Sequence, residues 1–127
     1  MKESVTIVLP LPSPILSPNR PCGSRGGRFA RAAVSKKYKR LACETTEAAL
    51  IQTGPWERAT ISMTFFHKQG RRRDDVNFAA MMKPAYDGVV VAGLLVDDDS
   101  KHLTTLPVKF EIDKANPRVE LFFERQP

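Results

Sequence analysis

RRRDDVNFAAMMKPAYDGVVVAGLLVDDDSKH, running from Arg71 to His102, decides how this chain folds. Phe78, Met81, Met82, Ala85 and Val89 recur at the three- and four-residue spacing that puts apolar side chains on one helix face. The spacing predicts a helix over 77–92, with Gly93 as its C-terminal cap. Pro84 denies the Ala80 carbonyl a partner, so a kink is expected inside that helix. The paired methionines fall on the core face and read as packing. Acids bound the segment on both sides, Asp74-Asp75 before it and Asp97-Asp98-Asp99 after it.

Working outward, Ser4–Leu9 is rich in β-branched residues and reads as a first strand. Pro10, Pro12, Pro14 and Pro18 then impose an irregular extended stretch. From Asn19 to Cys43 the charge is one-sided: Arg20, Arg25, Arg28, Arg31, Lys36, Lys37, Lys39 and Arg40, with no acid among them. Its glycine-rich front, PCGSRGGR, reads as a loop, and a helix is expected from about Phe29 through Ile51, stopped by Gly54-Pro55. Arg58–Lys68 alternates as a strand, with Ile61, Met63 and Phe65 on one side. Leu106–Ile112 and Val119–Phe123 read as a closing hairpin across 113–117. The expected order is β-α-β-α-β-β, an α+β fold in which two helices pack a small mixed sheet, in one domain over 1–127.

The chain has 127 residues, enough for one core, and a formal net charge of +6, which favours a polyanionic partner. No apolar run approaches the roughly 20 residues of a spanning helix. The opening MKESVTIVLPLPSP is broken by prolines and lacks a small-residue cleavage site, so no secretory signal is read there. Cys22 and Cys43 form no CxxC and have no His at ligand spacing. They read as free thiols of a cytoplasmic protein, and their spacing argues against a zinc site.

Crowded carboxylates raise one another's pKa unless a cation lies between them. Should the fold bring both acid groups together, they would make a site for Mg²⁺, which takes a few carboxylates along with water and phosphate oxygens. Each group also has a plainer role. Asp74 or Asp75 can cap the helix start, and DDDS can be an exposed turn. An EF-hand is excluded: counting from Asp97, Lys101 and His102 stand where that loop needs an acid and its turn glycine. Lys83 shares a helix face with Val76, Ala80 and Asp87, where it can reach a phosphate or simply pair with Asp87. His67 and His102 read as structural or exposed. No GxSxG, Cys–His, P-loop or dinucleotide-binding glycine pattern is present.

The order Arg73-Asp74-Asp75-Val76-Asn77-Phe78-Ala79-Ala80, then Lys83-Pro84, Asp87-Gly88, Ala92-Gly93 and Asp97-Asp98, resembles the signature of the RusA family of Holliday junction resolvases, in its phage-type form. LPLPSPILSPN near the start is similar to the family's opening, and the likeness covers nearly the whole chain. It implies a small α+β homodimer that cuts four-way DNA junctions with Mg²⁺, or Mn²⁺, held by aspartates in a bacterial or phage-infected cell. Carried onto this chain, Asp74 and Asp98 match the motif aspartates, with Asp97 beside the latter, and Lys83 matches the motif lysine. One position departs. The second motif aspartate falls on Val76, so either Asp75 takes that ligand place or the site is impaired. The implied catalytic set is Asp74, Asp75, Asp98 and Lys83; the metal set is Asp74, Asp75, Asp97 and Asp98. Arg71, Arg72, Arg73, Arg25, Arg28, Arg31, Lys36, Lys37, Lys39 and Arg40 would hold DNA phosphates. Two further readings stand beside the nuclease: a junction-binding protein that has lost cleavage, and a basic RNA-binding domain. The latter is disfavoured because the aromatics are not interleaved with the basic residues in a single-strand stacking pattern.

Overall fold

The computed structural model describes residues 3–17, 23–49, 55–70 and 75–127, with residues 75 and 76 described by backbone alone. The elements in chain order are β1 (Ser4–Leu9), a 3-10 turn (Pro14–Leu16), α1 (Arg25–Ala49), β2 (Ala59–His67), α2 (Asp75–Met81), α3 (Lys83–Val91), β3 (Leu103–Thr105), β4 (Lys109–Ile112) and β5 (Arg118–Arg125). The α+β class and the small mixed sheet are as expected, but three α-helices accompany it instead of two.

The sheet runs β1-β5-β2-β3, with β4 also on β2. β5 is antiparallel to both β1 and β2, while β3 and β4 are parallel to β2. Alternation along each strand sends one set of side chains inward. Val5, Ile7 and Leu9, then Ile61, Met63 and Phe65, then Val119, Leu121 and Phe123, form the buried face. Tyr38 and Ala42 of α1, Met82 at the start of α3, and Ala85 and Val89 within α3 close over it. Each such fully buried large apolar side chain contributes roughly 1.5–3 kcal/mol.

Four expectations need correction. The closing hairpin does not form. β5 enters between β1 and β2 and pairs with both, leaving β4 on the far side of β2. A strand over 106–112 is also interrupted: the Leu106 N–H still reaches the Ile61 carbonyl at 2.9 Å, but Pro107 has no N–H to continue the ladder. The helix expected over 77–92 is two helices, not one kinked helix. The Met82 N–H turns back to Ala79 at 3.1 Å, α2 ends, and Pro84 sits in the first turn of α3, where a missing donor costs nothing. Finally, α1 begins at Arg25, inside the stretch read as a loop. The Ser24 hydroxyl accepts from the Gly27 N–H at 3.0 Å and supplies the cap that starts it.

Gly93 does cap α3 as expected. Its φ is +94°, its N–H reaches the Val90 carbonyl at 3.0 Å, and the Leu94 N–H reaches Val89 at 3.3 Å. That pair of bonds is a Schellman closure, and it turns the chain sharply toward the acid cluster.

Candidate functional site

The acid turn at 97–99 is anchored on one side by Trp56, just before β2, and on the other by Ala59, the first residue of β2. Trp56, 1% exposed, donates its backbone N–H to Leu94 at 2.8 Å and accepts from Val96 at 3.0 Å. After the turn, the Ala59 N–H donates to the His102 carbonyl at 2.9 Å, and Leu103 opens β3. The loop is therefore stapled at its neck, and its side chains gather beside the first turn of α3.

Two groups form there. In the first, the Lys83 ammonium lies 2.6 Å from Asp98 Oδ2 and 2.9 Å from Asp87 Oδ1. The Asp98 side chain is 11% exposed against 61% for Lys83, so the carboxylate is sheltered and the amine faces water. The Asp98 hydrogen bond chiefly, and the Asp87 bond next, push the Lys83 pKa up to about 12. Lys83 is thus a fixed positive charge at neutral pH and cannot serve as a base. Tyr86, one turn further along α3, donates its hydroxyl to Met63 Sδ at 3.3 Å; burial pushes its pKa up to about 12.

In the second group, Asp97, Asp99 and His102 each offer a ligand atom within 4.8 Å of the others. Asp99 Oδ1 accepts from the Lys101 N–H at 2.9 Å and the His102 N–H at 3.2 Å, an Asx turn that bends His102 back to meet it. The His102 Nδ1 then lies 2.6 Å from Asp99 Oδ1, and this contact foremost holds the Asp99 carboxyl below its ordinary range.

Asp97, Asp99 and His102 together can hold a metal ion. Two carboxylates suit Mg²⁺ or Mn²⁺, and the imidazole adds a preference for the softer of these. Among the described residues Asp97 is shared with the expected metal set, Asp98 meets Lys83, and Asp99 and His102 stand beside Asp97. The signal for them lay in the D-x-D-x-x-H spacing of Asp97, Asp99 and His102, which an Asx turn closes. Asp74, Arg71, Arg72 and Arg73 lie outside the described residues, as do the side chain of Asp75 and the thiol of Cys22. The free thiol of Cys43 is described, and its hydrogen bond to Glu47, 2.9 Å long, raises its pKa.

Among the basic residues of α1, Arg25, Arg28, Lys36, Lys37, Lys39 and Arg40 are exposed. Arg31 differs. It is half-buried and donates from Nε to the Ile15 carbonyl and from Nη2 to the Ser17 carbonyl, each at 3.0 Å. It fastens the proline-rich segment to α1. Asn77 is tied to the same segment, accepting from the Ser17 hydroxyl at 2.8 Å. His67 is buried in a cluster with Phe65, Phe78 and Phe110, as a structural histidine would be.

No family model matches the chain, and no curated protein matches it in sequence. Among solved structures, thiamine-monophosphate kinase from Stenotrophomonas maltophilia K279a is similar at a TM-score of 0.36 and 9% identity, over 97% of this chain and 30% of that one. The chain thus spans less than a third of that structure's length. No described helix is long and apolar enough to cross a membrane.

Proposed function

We propose that the chain is a divalent-metal-dependent, structure-selective endodeoxyribonuclease that resolves four-way DNA junctions as a homodimer. One observation carries the reading: Lys83 and Asp98, fifteen residues apart, lie within 2.6 Å, next to a turn whose acids and histidine can hold a metal ion. The ordered motif from Arg73 to Asp98 supports it independently, because its lysine and far aspartate are the two residues in that contact.

Asp97, with Asp99 and His102 beside it, would hold the ion together with the motif's acids Asp74, Asp75 and Asp98. When bound, a divalent ion polarises a phosphodiester and makes water acidic enough to attack it. Lys83 contributes a permanent positive charge that offsets charge building on the phosphate, and Asp98 and Asp87 hold the ammonium in place. Arg71, Arg72, Arg73, Arg25, Arg28, Lys36, Lys37, Lys39 and Arg40 grip backbone phosphates without reading sequence. A four-way junction has near two-fold symmetry, and a two-fold dimer would offer it two matching sites.

The test is cleavage of an end-labelled four-way junction with Mg²⁺ and with Mn²⁺. Asp98→Asn is expected to abolish cutting while its gel-shift affinity stays near wild type. Undiminished cutting would remove Asp98, and the reading built on it, from consideration. Val76 motivates a second reading, since valine cannot ligate metal where the motif has an aspartate: a junction-binding protein that does not cut. That reading expects tight binding, no cleavage with either ion, and gain of cleavage in Val76→Asp.

A further inference from the structure

Arg25, Phe29, Ala32, Lys36 and Arg40 succeed one another at three- and four-residue steps and so share one side of α1. It is the side turned away from the buried Tyr38, Ala42 and Thr46. Phe29 is 64% exposed. A single water-facing apolar residue is ordinary, but the surroundings of this one are specific. The Arg25 guanidinium lies over its ring, 5.6 Å from the centroid. Arg25, Arg28, Phe29 and Ala32 line a hollow of about 350 Å³ beside it. From Arg25 to Cys43 the helix carries no acid. A ligand suited to this surface must be anionic at short intervals and must present a flat π-face. A nucleotide strand has both properties. A continuous duplex hides its base faces in its own stack, whereas unpaired or branch-point nucleotides expose them.

We propose that this side of α1 takes an unpaired segment of DNA, with a base stacked on Phe29 and its flanking phosphates held by Arg25, Arg28 and Lys36. The proposal rests on the DNA-binding part of the reading above and is independent of cleavage. Alanine at 32, one turn on, leaves room for the sugar and base edge next to the ring.

The experiment measures fluorescence anisotropy of the full-length protein in EDTA, so that nothing is cut. The probes are a labelled single-stranded oligonucleotide, a four-way junction and an uninterrupted duplex. Phe29→Ala is expected to weaken single-strand and junction binding roughly 5- to 150-fold, with duplex affinity unchanged. Phe29→Trp is expected to retain affinity, and its emission should be quenched on binding. Trp56, the chain's one tryptophan, is buried, so a quench reports position 29. Circular dichroism checks that both variants are folded. Equal affinity of Phe29→Ala and wild type for the single strand and junction would overturn the proposal, as would an equal loss on all three probes. If the wild type binds no DNA at all, the DNA-binding reading itself fails. If the wild type binds but Asp98→Asn still cuts, only the nuclease assignment fails, and the Phe29 result stands.

Discussion

Lys83 shows how one residue's chemistry is set by its neighbours. Flanked by Asp98 and Asp87, its ammonium is held charged to about pH 12. Solvent reaches this pair, so its worth to stability stays below about 1 kcal/mol. In the proposed nuclease its contribution to phosphate chemistry would be larger, because a preplaced charge acts where charge develops. Lys83→Ala is expected to lower junction cleavage by roughly 10²- to 10³-fold while changing junction affinity only slightly. Single-turnover kinetics beside a gel shift separate the two, and an equal drop in affinity would make Lys83 a binding residue instead. Asp113 offers a pH prediction away from the site. Arg118 donates to its Oδ2 at 2.7 Å, and that bond foremost holds the Asp113 carboxyl below its ordinary range. A carboxyl with a depressed folded-state pKa adds stability above its unfolded value of about 3.8 and loses it as pH falls through the folded value. Asp113→Asn keeps the size and removes the charge. Its melting temperature should sit below wild type at pH 7, and the gap should close on acidification toward pH 2. A gap that persists at low pH would mean that packing, not charge, is responsible.

Among elements, the crossing of α1 and α3 governs where Lys83 and Asp87 stand. A Cβ at Gly88 would lie 2.3 Å from the Lys39 carbonyl oxygen and 2.9 Å from the Cys43 nitrogen, so only glycine lets the helices approach this closely. The glycine after Asp87 in the motif thus has a packing reason. Gly88→Ala is expected to destabilise by roughly 1–3 kcal/mol, read as a lower urea midpoint. An unchanged midpoint would mean that α3 can shift freely. The same elements show what periodicity can and cannot reveal. β1 was legible from its β-branched residues, the buried face of β2 from alternation, and Met82, Ala85 and Val89 from helical spacing. The division of the helix at Met82 was not, since an interior proline signals a kink as readily as a new start. The position of β5 was hidden too. A strand's own pattern says which side is buried, not which neighbour it pairs with, and the short 113–117 connection invited a local hairpin. In the candidate site, Lys83 was legible from helical spacing, and the run Asp97-Asp98-Asp99 from its clustering. Asp99 and His102 were obscured because a run of three aspartates does not announce which carboxylate the turn will aim.

At the scale of the molecule, α1 carries an exposed row of cations from Arg25 to Arg40, while Asp97, Asp98 and Asp99 gather at the neck between α3 and β3. In the proposed function this arrangement would let a polyanion be gripped at one place and hydrolysed at another, and its affinity would depend on salt. Each phosphate neutralised releases condensed counterions, so log affinity falls with log salt by about 0.9 per contact on duplex DNA. Removing one phosphate-contacting cation should therefore weaken binding to all sequences alike and flatten that slope by about one. Lys36→Ala and Arg40→Ala are the variants to measure, by anisotropy on a four-way junction between 50 and 200 mM salt as rough limits. Arg31 supplies the contrast. Its guanidinium holds the Ile15 and Ser17 carbonyls, so Arg31→Ala should cost stability and leave the slope of the folded protein unchanged. If Arg31→Ala flattens the slope while Lys36→Ala and Arg40→Ala do not, DNA follows another path across the protein, and the row on α1 serves only to keep the chain soluble.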